Sequence, residues 1–224
     1  MGADRYRPIR DYAAIGDCHG SALVARDARI DWCWLGRFDA NPVFCGLLDA
    51  DQGGYFAIRP RDDAFATRRA YHDNTTLLTT RFATAGGEVS IIDFMPVGRK
   101  PGAGVHDYVS LNAPGWLVRI VEGVRGSVDL DVHYAPSVDF ARRPTRLSHA
   151  GEGIAAGGGA VLYSDYPLDI VDGRQARATL RVAAGERRFF VVSAKPLARA
   201  PTAAQVLRLL AVSRHFWEEW IGYC

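Results

Sequence analysis

Residues 15–56 read IGDCHGSALVARDARIDWCWLGRFDANPVFCGLLDADQGGYF. The stretch sets Trp32, Trp34, Phe38 and Phe44 among Asp17, Asp31, Arg37 and Asp39, polar residues that a plain core strand does not need. Ser21 to Ala25 and Ile30 to Leu35 carry strand-like composition, with Arg26 to Arg29 as a tight connection between them. Strict alternation along the second strand predicts Ile30, Trp32 and Trp34 on one face and Asp31, Cys33 and Leu35 on the other. The chain then turns at Gly36. Asn41 before Pro42 predicts a short helix, with Asn as cap and Pro in the first helical position.

The remainder continues in strands. Gly54 to Arg59 predicts one, closed by Pro60. Leu77 to Ala83, a Gly86-Gly87 turn and Val89 to Met95 form a clear hairpin, in which Leu78, Thr80 and Phe82 share a face. Val97 to Pro114 is rich in Gly and Pro and predicts a long surface loop. Its GRKPGAG run is no phosphate loop, because Lys100 lies between the glycines and Pro101 removes an amide donor. Trp116 to Glu122 and Val128 to Tyr134 are expected to pair with each other through Gly123 to Ser127. Short strands follow at 154–156, 160–164, 168–171, 176–182 and 187–193, separated by Gly- and Asp-rich turns. Roughly a dozen short strands with regular turn signals predict a mainly β fold, a large antiparallel two-sheet β-sandwich.

Composition agrees. The 224 residues include 23 Gly, and Asp outnumbers Glu, a balance that favours turns and strand ends over helix interiors. With a formal charge of +2 and scattered basic residues, nothing points to nucleic acid. Residues 1–12, MGADRYRPIRDY, contain no apolar signal core, and no apolar run reaches membrane-spanning length, so a cytoplasmic location is expected. Cys18, Cys33, Cys45 and Cys224 form no Cys-x-x-Cys pair and read as small buried hydrophobes in a reducing compartment.

The end of the chain changes character. Residues 201–224 predict an amphipathic helix after a sandwich over 1–200, with Thr202 and Gln205 as a capping box and Gly222 as its stop. Val206, Leu209, Leu210, Ser213, Trp217, Trp220 and Ile221 recur at helical spacing. Part of this stripe can cover the sandwich. Phe216, Trp217 and Trp220 are the candidates for docking a partner, including a second copy of the chain.

The catalytic signals are absent. There is no Gly-x-Ser-x-Gly elbow, His-Glu-x-x-His pair or dinucleotide fingerprint. Glu218 and Glu219 are neighbours on one helix and point in different directions. His19 beside Cys18 has nothing nearby to orient it. Asp129, Asp131 and His133 line one strand face, but their spacing of ~7 Å is too wide to share an ion, so no metal site is expected. No cofactor is implied.

Ile15-Gly16-Asp17, Ala22-Leu23-Val24, Ile30-Asp31-Trp32, Arg37-Phe38-Asp39 and, further on, Asp93-Phe94-Met95-Pro96 resemble the N-terminal domain of trehalase-like and glucoamylase-like enzymes of glycoside hydrolase family 15. The chain differs from that pattern at Asp27-Ala28, where the family usually has Asp-Gly, and at Gly36, where it usually has Pro. The resemblance implies a domain without catalytic residues, followed by a linker helix and an (α/α)6 barrel whose two glutamates cut an α-glucoside with inversion. It implies that barrel as partner, in cis or in trans, with an α-glucoside near the domain interface. Asp17, Arg37 and Asp39 lie on turns, free to serve a site. They are the candidates for substrate or domain-interface contact, with Trp32 or Trp34 as an aromatic face. The plainer expectation is that Arg37 and Asp39 pair with each other or cap backbone, and that both tryptophans are core.

Overall fold

A computed structural model describes residues 6–104, 107, 110–157 and 159–222. After one 3-10 turn at Ile9–Asp11 the chain forms β1 (Ala13–Gly16), β2 (Ser21–Val24), β3 (Ile30–Trp34), β4 (Phe44–Cys45), β5 (Tyr55–Pro60), β6 (Ala66–Tyr71), β7 (Leu78–Ala83) and β8 (Gly87–Phe94). Then come β9 (Trp116–Ala135), β10 (Leu147–Ala150), β11 (Gly153–Ala156), β12 (Val161–Ser164), β13 (Asp169–Val171), β14 (Gln175–Ala183) and β15 (Arg187–Ser193). The helix α1 (Ala203–Ile221) is last. Every strand pairing among the described residues is antiparallel. The fold is the mainly β, antiparallel two-layer arrangement that the turn rhythm predicts.

Both layers share β9. Its first half lies between β8 and β15, in a layer ordered β6-β7-β8-β9-β15-β12-β11-β10. Its second half lies between β5 and β14, in a layer ordered β1-β2-β3-β5-β9-β14-β13, with β4 also on β3. This corrects the expected hairpin at 123–127. A hairpin would pair the two halves with each other, whereas each half here has a strand on both sides and so satisfies both rows of backbone groups.

Burial along β9 records the two environments. From Leu117 to Val121 every residue is buried, whereas from Val128 to Tyr134 buried and more accessible residues alternate. The second half has one face on the core and one towards solvent. The first half is covered twice. Leu117 and Val121 join the core between the layers, where Phe56 and Phe190 meet at 6.0 Å across the sandwich. Val118 and Ile120 face outward into a second cluster with Phe94, Val191, Val206, Phe216 and Trp217. The helix therefore lies on the outer face of the β8–β9–β15 layer. Its capping box is formed: Gln205 N donates to Thr202 Oγ1 (3.2 Å) and Thr202 N donates to Gln205 Oε1 (2.9 Å).

Three further expectations are corrected or extended. No helix starts at Asn41-Pro42; Val43 N donates to Cys33 O (2.8 Å), and Phe44–Cys45 pair with β3, so strand pairing prevails over the cap signal. β6 and β10 carry no clear alternation in sequence and are found only in the fold. In the 97–114 loop the described residues are irregular apart from an Arg99–Leu111 bridge. Residues 105, 106, 108 and 109 of that loop, Gly158 of the glycine turn, residues 1–5 and Cys224 lie outside the described residues.

Candidate functional site

The opening stretch builds one end of the sandwich, and a β-bulge decides what it shows to the outside. Leu23 faces Trp32 and Val24 faces Ile30, so Asp31 is the extra residue. The bulge resets the alternation. Ile30 and Cys33 face the core, while Trp32 and Trp34 turn to the outer face, half-buried. This corrects the expectation of strict period two, which placed Ile30 with the tryptophans. The two indoles meet edge to face at 4.8 Å, and Trp34 Nε1 is buried with no hydrogen-bond partner among the described residues.

The displaced residue is not idle. Asp31 is 3% exposed, and its carboxylate accepts from Tyr12 Oη (2.7 Å) and Arg29 Nε (2.5 Å). Burial and this hydrogen bond raise the Tyr12 hydroxyl above the ordinary tyrosine range. Arg29 in turn lies over the Tyr55 ring at 3.7 Å. The bulge is pinned from both sides.

Asp17 sits in the turn between β1 and β2 and is fully buried. Its Oδ1 accepts from the amides of Gly20 (2.7 Å) and His19 (3.0 Å), holding Cys18 at φ +69°, while Oδ2 has no partner among the described residues. Burial pushes its carboxyl above the usual value, and the two amides pull back. The turn rests on β3: a Cβ at Gly20 would stand 2.5 Å from Trp34 O and 3.2 Å from Gly36 N. Gly36 has φ +77°, a value that the proline of the resembling pattern could not adopt.

Arg37 and Asp39 lie immediately beyond, in solvent, as a bidentate pair (Nε–Oδ1 2.7 Å, Nη2–Oδ2 2.5 Å). The hydrogen bond holds Asp39 below the usual carboxylate range and raises Arg37. Phe38 between them is 74% exposed. The structure thus brings Asp17, Trp32, Trp34, Arg37 and Asp39 to one corner, although only Arg37 and Asp39 touch each other through polar atoms.

The helix candidates are elsewhere and are divided. Phe216 and Trp217 are buried against the sandwich, whereas Trp220 remains 38% exposed. Ser213 Oγ fastens the helix by accepting from Val97 N (3.1 Å). Asp131, on the outer strand face, accepts from Thr179 Oγ1 (2.8 Å). Among the described residues no three His, Cys, Asp or Glu side chains lie together as a metal site, and no helix is long and apolar enough to cross a membrane.

Sequence reasoning missed the ion pair at the centre. Arg119 and Asp93 are both fully buried; Arg119 Nε donates to Asp93 Oδ1 at 2.7 Å and Nη2 to Oδ2 at 3.3 Å. Arg119 Nη1 also donates to Phe56 O (2.9 Å), and Nη2 donates to Ala28 O. Ala28 is buried at φ +59°, so the guanidinium ties a strained turn of the β2–β3 connection to β8 and β5. The signal was available: a lone Arg in the apolar run Trp116–Val121 needs a buried partner. The chain also holds Asp139, Phe140 and Ala141 at φ +53°, +53° and +62°, a left-handed turn that no composition signal marks.

These observations define a class: a double-layered β-sandwich domain with a C-terminal helix packed on one outer face. The family follows from comparison. A family model described as "Trehalase-like, N-terminal" matches residues 1–184, and the chain belongs to that family. It is similar to a protein named Trehalase from Mycolicibacterium smegmatis, 23% identical over 97% of this chain and 35% of the relative. A Trehalase from Thermoplasma volcanium is 31% identical over 61% of this chain and 21% of the relative, and Trehalase 1 of Sulfolobus acidocaldarius is 42% identical over 38% and 15%. The chain thus spans about a third or less of the length of the curated relatives that it matches.

Proposed function

We propose that this chain is the non-catalytic N-terminal domain of an inverting α-glucoside hydrolase of glycoside hydrolase family 15, trehalase-like or glucoamylase-like. In this reading residues 1–200 form the supporting sandwich, and 201–224 lead to an (α/α)6 barrel that supplies the two glutamates and works in a cytoplasmic setting. The observation that carries the reading is the match to the N-terminal model in a chain that covers only 15–35% of its trehalase relatives.

The site geometry supports it. An inverting glycosidase needs two carboxyl groups about 6.5–9.5 Å apart, one of them free to exchange a proton with water. Asp31 is held by Tyr12 and Arg29 and Asp39 by Arg37, while Asp17 accepts backbone amides through Oδ1 and keeps its other oxygen buried away from water. The outward Trp32–Trp34 pair and the exposed Arg37-Phe38-Asp39 turn suit a lip that touches the barrel and partly caps a sugar held there. Trp220, at the far end of α1, suits a second contact.

A second reading, a free-standing carbohydrate-binding module, draws on the Trp32–Trp34 face alone, since aromatic rings can stack on sugar rings. Calorimetry of the purified chain with trehalose and malto-oligosaccharides separates the two. The supporting domain gives no saturable heat and releases no glucose. Saturable heat without turnover favours the binding module, and glucose release by the chain alone contradicts both.

A further inference from the structure

We propose that the groove between the β6–β7 ribbon and α1 binds an acidic segment of polypeptide. The proposal is independent of any catalytic companion. The groove measures about 780 Å³ and is lined by Arg68 and Ala70 of β6, Tyr71, His72 and Asp73 at and beyond its end, Thr79 and Arg81 of β7, and Arg214 and Glu218 of the helix, among others.

Its charge arrangement is costly for an isolated fold. Arg68 and Arg81 stand directly opposite each other across the β6–β7 pair, and like charges so placed destabilise a sheet. Arg81 has Glu88 at 3.4 Å. Among the described residues neither Arg68 nor Arg214 has a carboxylate at ion-pair distance, even though Glu218 follows Arg214 by one helical turn. Elsewhere on the surface Arg26, Arg37, Arg59 and Arg187 each sit on a carboxylate within 2.5–2.8 Å. The groove lining as a whole sets four arginines, Arg68, Arg69, Arg81 and Arg214, against two carboxylates, Asp73 and Glu218.

The simpler role for charge on an edge strand is to deter pairing with another sheet. Arg68 alone would meet it. Arg81 lies on the inner strand of the ribbon, and Arg214 lies on a helix, where neither guards an edge. The shape points to the occupant. Ala70 and Thr79 pair across the ribbon and give the groove a floor of small side chains, with guanidinium groups along it. An extended chain carrying Asp or Glu at intervals fits this open groove, whereas a compact anion would need donors converging on one point.

The test uses the 224-residue chain and a fluorescent ten-residue peptide alternating Glu and Gly, with a Gln-Gly peptide as control, read by anisotropy. Saturable binding of the acidic peptide alone is expected, weakening several-fold between 50 and 300 mM NaCl as screening grows. Arg68→Thr and Arg214→Ala should each weaken it about threefold, and with Arg81→Thr the triple variant about thirtyfold, while Arg187→Thr changes nothing. A second readout separates recognition from structure: Arg68→Thr should raise the melting temperature by about 1–2 °C, because the opposed charge is removed. Equal binding of the Gln peptide, no binding, or indifference to the triple variant would overturn the proposal. So would a lower melting temperature for Arg68→Thr. Inorganic tripolyphosphate held more tightly than the peptide, with the same arginine dependence, would make this a small-anion site instead.

Discussion

Two arginine–aspartate pairs of nearly the same geometry sit in opposite surroundings. Arg119–Asp93 and Arg37–Asp39 share an Nε–Oδ1 distance of 2.7 Å, yet the first is wholly buried and the second lies in solvent. In the first, burial pushes the Asp93 carboxyl up against the pull of Arg119; in the second, the hydrogen bond wins and Asp39 is lowered. The buried guanidinium also spends two donors on Phe56 O and Ala28 O, so removing it orphans several groups at once. The exposed one can exchange its partner at little cost. The difference teaches that similar hydrogen bonds are structural or available according to the solvent around them.

The comparison can be broken most visibly at the buried pair. Arg119→Met should cost about 4 kcal/mol, about 10 °C in melting temperature, because it leaves a buried carboxylate alone. Adding Asp93→Leu should recover much of the loss, and a double variant as unstable as the single one would refute that cause. Trp217→Ala should come next, at about 3 kcal/mol by thermal or urea unfolding, since the ring packs on the sandwich. Trp220→Ala should hardly move stability.

Asp17 gives a smaller, pH-dependent effect. Its carboxyl titrates above the ordinary 3.8 in the fold, so the folded state binds more protons than the unfolded chain. Stability from this group is present at low pH and is lost as pH rises through the raised value. Asp17→Asn should therefore gain on wild type as pH climbs from 4 towards neutrality, and parallel stability curves would contradict the assignment. Smallest of all, Arg37→Ala should leave the melting temperature within about 1 °C of wild type.

The legible part of the sequence was its rhythm. Gly86-Gly87 between alternating runs gave the β7–β8 hairpin, and Thr202 with Gln205 gave the helix start, because both signals are local. Pairing between distant segments was not legible. The two halves of β9 look like a hairpin until β5, β8, β14 and β15 claim their edges. Likewise the bulge at Asp31 depends on Tyr12, 19 residues earlier, and it reversed which side of β3 carries the tryptophans. For the candidate corner the sequence marks Trp32 and Trp34 as a pair, and tertiary pairing decides which way they face.

The most direct test of the supporting-domain account is a graft. The Mycolicibacterium smegmatis trehalase would carry this chain in place of the segment it aligns with, and glucose release from trehalose would be measured for the graft and for its Trp32→Ala/Arg37→Ala variant. The account predicts an active graft, an inert isolated chain, and a drop of about tenfold in the variant with unchanged melting, as expected when a positioning surface is lost. Turnover by the isolated chain, or a graft indifferent to both substitutions, would contradict it.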